Sequence, residues 1–229
     1  MPITILITGS SQGLGKELAL VLADKGRTII SHGRDKSSLD ALKKQIEKRG
    51  AENIIVRGDL TAEKTIATLV SAAKKNNIDI LINNAAQYLN CEFLNMKENE
   101  IHTMVEVNFI SQVKLVRGIL PHFLEKNKGL IININSLAGQ KGSYGETLYS
   151  ASKHALKGFS NSLKLEVLSK GIRITDVYLA AMATKMTFQR KDQDLLIKPE
   201  EAAKLISQLC TENESVYVSE IQLLRRKYG

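Results

Sequence analysis

The chain has no tryptophan, three prolines and two cysteines, and only 5% of its residues are aromatic. Each scarcity removes a class of protein. Cys91 and Cys210 cannot build the disulfide framework of a small secreted scaffold. With so few aromatic rings, the stacking platforms that grip single-stranded nucleic acid are scarce. No stretch approaches the ~18 apolar residues of a membrane span. The four histidines, His32, His102, His122 and His154, lack metal-ligand spacing with one another or with cysteine. No metal is expected, and they read as surface or packing residues. The opening Met1-Pro2-Ile3-Thr4 lacks the basic and apolar segments of a signal peptide, so a cytoplasmic setting is expected.

What is present is an ordinary globular balance. Of 229 residues, 43% are hydrophobic and 24% are charged, and the length favours one domain over residues 1–229. The net charge is +8, from 32 Lys and Arg against 24 Asp and Glu. The cations are scattered along helix faces, as at Lys43-Lys44 and Lys74-Lys75, and are densest at Arg225-Arg226-Lys227. That distribution reads as a solvated surface, so neither nucleic acid nor a membrane is the expected partner.

Short β-branched runs alternate with longer amphipathic stretches. The runs are Ile3–Thr8, Thr28–Ser31, Asn53–Arg57, Asp79–Asn83, Leu130–Asn135, Arg173–Tyr178 and Ser215–Leu223. Several are apolar without alternation, as strands buried on both faces of a parallel sheet are. Between them, Leu14, Leu18, Val21 and Leu22 share a helical face, as do Leu39, Leu42 and Ile46, and then Ile66, Leu69, Val70 and Ala73. The fold class expected is α/β: a doubly wound parallel sheet of about seven strands with helices on both faces. Thr61 is placed to cap the third helix, and Pro121 should kink or end the helix that runs from Ile101.

The first strand leads directly into Thr8-Gly9-Ser10-Ser11-Gln12-Gly13-Leu14-Gly15, and then a helix begins. Gly9 permits a sharp turn, Gly13 leaves room for a pyrophosphate against the backbone, and Gly15 permits close packing. The helix N-terminus presents free N–H groups to an anion. A tight strand-to-helix turn alone would use the same glycines. Its position after the first strand of an alternating chain favours a cofactor cradle made by Gly9, Ser11, Gln12, Gly13, Leu14 and Gly15.

Farther along, Tyr149 and Lys153 share one helical face. Ser136 ends the fifth strand, at the carboxyl edge where such sheets bind ligands. Elsewhere a Tyr and Lys so spaced would be a surface pair. Reduction of a carbonyl by hydride leaves an alkoxide that must receive a proton. A phenol can give one, but its usual pKa of ~10 hinders return at neutral pH. An ammonium ~4 Å away contributes about 4 kcal/mol at an effective dielectric near 20, enough to lower that pKa by about three. The Ser136 hydroxyl can hydrogen-bond the oxygen on which charge develops.

The Gly-x-x-x-Gly-x-Gly loop with its leading Thr, the Ser136, Tyr149 and Lys153 set, and Asn83-Asn84-Ala85-Ala86 resemble, in order and over nearly the whole chain, the short-chain dehydrogenase/reductase family. The resemblance implies a Rossmann-like domain and an NAD(P)-dependent oxidoreductase acting on a small-molecule carbonyl or alcohol. It implies that Tyr149 is the general acid/base, that Lys153 tunes it and holds the nicotinamide ribose, and that Ser136 polarises the carbonyl. Asn108 matches the family's fourth catalytic residue, which supports a proton relay through water. Asp59 and Leu60 fall where the family approaches adenine, Asn84 and Ala85 follow the fourth strand, and Thr184 is a further cofactor ligand. A homodimer or homotetramer is implied, through the helix carrying Tyr149 and the last strand.

The chain departs from the family in two places. Ala86 stands where the family has Gly, which would strain the backbone if φ were positive there. Leu179-Ala180 replaces a Pro-Gly turn beside the nicotinamide. The segment from 185 to 198 should form a short substrate lid. At the end of the second strand, Ser31-His32-Gly33-Arg34-Asp35 puts Gly33 where an acid would meet the ribose of NAD, followed by Arg34. A guanidinium suits a 2′-phosphate, so NADP is favoured. Asp35 keeps NAD open, since a one-residue shift would bring a carboxylate to the ribose. The two departures also keep a rival reading open: a catalytically weak dinucleotide-sensing or scaffolding protein of the same fold.

Overall fold

In the computed structural model, which describes residues 3–185, 187–211 and 215–226, the seven apolar runs pair into a single parallel sheet. Met1, Pro2 and Lys227, used in the sequence reading, lie outside the described residues. The strands are β1 (Ile3–Ile7), β2 (Arg27–Gly33), β3 (Glu52–Arg57), β4 (Ile80–Asn83), β5 (Gly129–Ser136), β6 (Ile172–Leu179) and β7 (Glu220–Leu223), in the order β3-β2-β1-β4-β5-β6-β7. The helices are α1 (Gly13–Leu22), α2 (Lys36–Lys48), α3 (Glu63–Lys75), α4 (Glu98–Val105), α5 (Ser111–Lys126), α6 (Thr147–Val167) and α7 (Pro199–Gln208). None of the described helices is long and apolar enough to cross a membrane.

Side chains of successive strand residues alternate between two cores. Ile5 and Ile7 of β1 pack with Leu18, Leu22, Ile46 and Ile206 on the side of α1, α2 and α7. Leu6, between them, packs with Leu69, Leu115, Ile119 and Leu163 on the side of α3, α5 and α6. Both faces of the sheet are therefore covered, which is why these strands read as continuous apolar runs.

Three local expectations need correction. Pro121 does not end α5, which continues to Lys126. Pro121 and Arg117, one turn before it, are both exposed, so water can hydrate the carbonyl that proline leaves without a donor. Thr61 does not cap α3. The N-cap position is Ala62, and the Thr61 backbone N–H and hydroxyl donate instead to Asp59 Oδ1 at 3.0 and 2.9 Å. The last strand begins at Glu220 rather than Ser215. Just before it, the Val218 carbonyl accepts the Thr175 hydroxyl of β6 and the Ser219 carbonyl accepts the Asp176 N–H, so the chain is tied to β6 there before the strand begins.

A polar ladder crosses the sheet and fixes α6 upon it. Asn83 Nδ2 of β4 donates to Asn133 Oδ1 of β5 at 2.9 Å, and Asn133 Nδ2 donates to the Ser160 hydroxyl of α6 at 2.8 Å. Ser160 donates to Asp176 Oδ1 of β6 at 2.8 Å, and Lys164 of α6 donates to Asp176 Oδ2 at 2.7 Å. The buried stripe of α6 is therefore more polar than its sequence pattern implies: Ser152, Lys153 and Ser160 line it with Leu156 and Leu163, while Leu148, Ala155 and Phe159 are half-buried.

His32 performs a related task at the end of β2. It is buried, its Nδ1 accepts the Gly9 backbone N–H at 3.3 Å, and its Nε2 lies 3.2 Å from the Gly58 carbonyl. The first contact requires an acceptor and the second a donor, so the ring is neutral with its proton on Nε2. Burial holds its pKa down at about 4.

Two stability predictions follow from these contacts. Lys164→Met leaves the fully buried Asp176 carboxylate without its ammonium, and should cost roughly 3 kcal/mol, seen as a lower urea midpoint with an unchanged slope. His32 binds a proton more readily when unfolded, so its contribution is complete above pH 6.5 and drains away as pH falls towards 4. Against His32→Gln, which cannot titrate, the wild-type chain should lose about 3 kcal/mol more across that window. Equal slopes for the two chains would remove His32 from the account.

Candidate active site

The strand order reverses direction between β1 and β4, where the connection from β1 leads one way along the sheet and that from β4 leads the other. Loops leaving a sheet at such a point diverge and leave a crevice. Here it has a volume of about 790 Å³, within the range of small-molecule sites. Gly9, Arg34 and Asp59 line one end, and Glu146, Tyr149 and Lys153 line the other.

The glycine loop is shaped by close approaches. Gly9 has φ +67°, and a Cβ there would lie 2.9 Å from Ala85 Cα. A Cβ on Gly15 would lie 2.4 Å from the Gly9 carbonyl oxygen and 2.5 Å from Asn84 Nδ2. That space is filled by a staple between two loops: Asn84 Nδ2 donates to the carbonyls of Thr8 and Gly9, and the Thr8 hydroxyl accepts from the N–H groups of Asn84 and Ala85. Ser11, Gln12, Gly13 and Leu14 form part of the crevice wall, with Gly15 beneath it rather than in it. Among the described residues no side chain caps α1 at Gln12, and its first turn carries no acid. The N–H groups and the positive end of the helix dipole therefore face the crevice, which fits the diphosphate of a dinucleotide. Thr184, from the loop after β6, closes over this loop, its Cγ2 3.5 Å from where a Gly13 Cβ would be.

At the far end, Asp35 is not turned to the crevice. Its Oδ1 accepts the Ser38 N–H at 2.7 Å and the Ser37 hydroxyl at 2.8 Å, capping α2. Those bonds hold its carboxyl down at about 2. Gly33 and Arg34 line the wall instead, with Leu60 and Asp59 opposite. Arg34 Nη1 lies 3.9 Å from Asp59 Oδ2. Arg57 Nε donates to the Arg34 carbonyl at 3.1 Å, adding a second guanidinium near this end. The cationic rim matches a ligand with a phosphate on its ribose better than one with bare hydroxyls.

Ser136, Tyr149 and Lys153 come together at the other end, delivered by β5 and α6. The Ser136 hydroxyl accepts the Ala138 N–H at 3.1 Å and acts on the nearby Tyr149 hydroxyl to favour its ionisation. Lys153 is buried, and its Nζ donates to the Ile134 carbonyl at 2.9 Å and lies 5.9 Å from the Tyr149 ring centroid. The expected lowering of the phenol is not found. Burial pushes Tyr149 up to about 12, the Ser136 hydroxyl opposes this, and the charge of Glu146 adds to it. Burial brings Lys153 down to about 8. Excluding water disfavours both charged forms at once, and the lysine is drawn to the Ile134 carbonyl rather than to the phenol oxygen. A neutral phenol beside a serine hydroxyl can donate a proton to an oxygen placed between them.

Asn108 lies behind this wall rather than in it. It is buried in a π-helical turn, Glu106–Ile110, between α4 and α5. Its Oδ1 accepts the Gln87 N–H at 2.7 Å, while Nδ2 donates to the Gln87 carbonyl at 2.8 Å and the Ser152 hydroxyl at 3.1 Å. Its amide clamps the loop after β4 to α6. The wider turn is a recurrent way to aim one residue out of helical register.

Both departures from the family pattern are accommodated. Apart from glycines, only Asn77 and Asn127 among the described residues have left-handed backbones, so Ala86 carries no such strain. After β6, the Pro-Gly turn is replaced by pairing: Met182 bridges to Ile197, Ala183 N–H donates to the Ile197 carbonyl, and Ile197 N–H donates to that of Ala181. Arg190 and Arg225 both bond Asp192, tying the segment after β6 to the chain after β7. The sequence reading took His32 for a surface or packing residue and passed over Tyr88 and Glu146. Tyr88 packs edge-on against Tyr149 with centroids 5.0 Å apart, and its hydroxyl donates to Glu146 Oε1 at 2.8 Å. Glu146, three residues before Tyr149 on the same helical edge, was the one available signal.

Comparisons with known proteins agree with this fold. The model of the short chain dehydrogenase family matches residues 3–195. A 3-oxoacyl-(acyl-carrier-protein) reductase of Synechocystis is 29% identical over 225 residues, 93% of this chain and 91% of its own. An NADP-dependent 3-hydroxy acid dehydrogenase of Schizosaccharomyces pombe is 29% identical over 233 residues, covering 95% and 90%. Among solved structures, a short-chain dehydrogenase from Sphingobium yanoikuyae in complex with NADPH superposes with a TM-score of 0.85 at 28% identity, covering 95% of this chain and 87% of that one. With its family model matched over most of its length, the chain belongs to the short chain dehydrogenase family.

Proposed function

We propose that this protein is an NADP-dependent oxidoreductase that interconverts a carbonyl compound and a secondary alcohol, with Tyr149 as proton donor and acceptor. The observation that carries the reading is the convergence of Ser136, Tyr149 and Lys153 on the same crevice as the uncapped end of α1. The related Sphingobium enzyme is in complex with NADPH and the related yeast enzyme is NADP-dependent, which supports the cofactor. The capped Asp35 carboxylate and the Arg34 guanidinium support the phosphorylated form over NAD.

When bound, the reduced nicotinamide supplies a hydride. The chain's own residues do the rest. Ser136 donates a hydrogen bond to the carbonyl oxygen as negative charge grows there. Tyr149 delivers its proton to that oxygen, being fully protonated at neutral pH because burial raises its pKa. Lys153, anchored at Ile134, keeps two further N–H donors for the ribose hydroxyls and a positive charge beside the phenolate that remains. Asn108 acts at one remove, through Gln87 and Ser152. The rival sensing or scaffolding reading drew on Ala86 and Leu179-Ala180, and the relaxed backbone at Ala86 and the paired turn after β6 take away its support.

Two measurements test the proposal. With a panel of ketones and secondary alcohols followed by nicotinamide absorbance, Tyr149→Phe should lose roughly 10²–10⁴-fold in turnover while cofactor binding persists. Normal turnover in that variant, or tight binding with no turnover of any compound by the wild-type chain, would sink it. Arg34→Ala should weaken NADPH by about 10-fold or more, the worth of a charge-assisted hydrogen bond, and leave NADH nearly unchanged. Equal effects on the two cofactors in a binding titration would reject the assignment of Arg34.

A further inference from the structure

The crevice holds a carboxylate that the proposed chemistry does not use. Glu146 stands at the N-terminal boundary of α6, one turn before Tyr149. It is half-buried and lines the substrate end of the crevice. Its Oε1 accepts the Tyr88 hydroxyl at 2.8 Å. Tyr88, carried by the loop after β4, places its ring at 90° to that of Tyr149 with centroids 5.0 Å apart. The loop bearing Tyr88 is itself clamped at Gln87 by Asn108. A charged hydrogen bond therefore closes a ring of contacts around the phenol: Asn108 to Gln87, Tyr88 to Glu146, and Tyr88 against Tyr149.

We propose that Glu146 is a positioning residue for proton transfer by Tyr149: it fixes the Tyr88 ring against the Tyr149 ring and places a carboxylate one helical turn before the residue that gives up its proton. The inference rests on the reading of Tyr149 as the proton donor. A nearby carboxylate disfavours the phenolate, so it keeps the proton on Tyr149 until an oxygen nearby becomes basic enough to take it. The Tyr149 hydroxyl responds to Glu146 in that sense, after the larger effect of burial. The other charged or titratable groups that line this part of the crevice are Lys153 on α6, Tyr88 after β4, Lys185 and Arg190 on the segment after β6, and Arg225 after β7. The guanidinium of Arg190 interacts electrostatically with both Glu146 and Tyr88 and partly offsets the carboxylate.

The role separates into charge and packing, and two substitutions divide them. Glu146→Gln keeps an acceptor for Tyr88 and removes the charge. Tyr88→Phe keeps the charge and removes the hydrogen bond. Tyr149 ionisation is read without substrate or cofactor as tyrosinate absorbance after a rapid jump to alkaline pH, before unfolding, as the difference from Tyr149→Phe. Glu146→Gln should lower the Tyr149 midpoint by roughly half a pH unit or more, and Glu146→Ala should move it the same way. Tyr88→Phe should not lower it. For an alcohol turned over by the wild-type chain, the alkaline rise of the oxidation rate should shift to lower pH in Glu146→Gln by the same interval. A Tyr149 midpoint that stays in place in both Glu146 variants overturns the inference. Because that titration needs no turnover, it can fail while Tyr149→Phe still abolishes activity, and the activity of Tyr149→Phe can disprove the catalytic reading whatever the titration gives.

Discussion

A buried ammonium organises the site. Lys153 is held in the interior of α6 against the end of β5, with the Ile134 carbonyl as its anchor. Removing an ammonium from water is costly, and a lone backbone carbonyl recovers only part of the loss. The drop in the lysine pKa to about 8 expresses that deficit. The same exclusion of water raises the phenol of Tyr149. The two residues are thus matched through their surroundings, each pressed towards neutrality, rather than through a direct contact.

Holding that arrangement requires the rest of the molecule to be over-determined. The ladder from Asn83 through Asn133 and Ser160 to Asp176 and Lys164 joins β4, β5, α6 and β6 with hydrogen bonds of 2.7 to 2.9 Å. Hydrogen bonds have a narrow geometric tolerance that hydrophobic contact lacks, so the ladder sets where α6 lies along the sheet. That in turn sets where Tyr149 and Lys153 stand relative to Ser136. On the cofactor side, the Gly15 contacts leave no room for even one carbon between α1 and the glycine loop. Stability at both places serves the crevice between them.

How much could be read in the sequence follows from which forces are local. The strands were legible because both sheet faces are buried, and uninterrupted runs such as Ile80–Asn83 result. The glycine loop and Ser136, Tyr149 and Lys153 were legible because turn geometry and helical spacing are short-range. What escaped depends on competing contacts and on burial, which spacing does not give. Thr61 prefers the neighbouring Asp59 carboxylate to the helix it precedes. Pro121 is harmless because its side of α5 faces water. His32 was read as a bland histidine because its two partners, Gly9 and Gly58, come from different loops. The sign of the Tyr149 shift was missed because spacing gives no account of burial.

The loop after β6 shows how one physical need can be met in two ways. A Pro-Gly pair stiffens a turn by restricting φ at proline and letting the chain pass close to a ligand at glycine. Leu179-Ala180 does neither. Here the stiffness comes from backbone pairing, with residues 181–183 bonded to Ile197. Farther out, the Thr187 hydroxyl closes the turn onto Thr184, and Asp192 gathers Arg190 and Arg225. The turn is thus braced by the segment that follows it, and Thr184, beside the glycine loop, is held in the same set of hydrogen bonds.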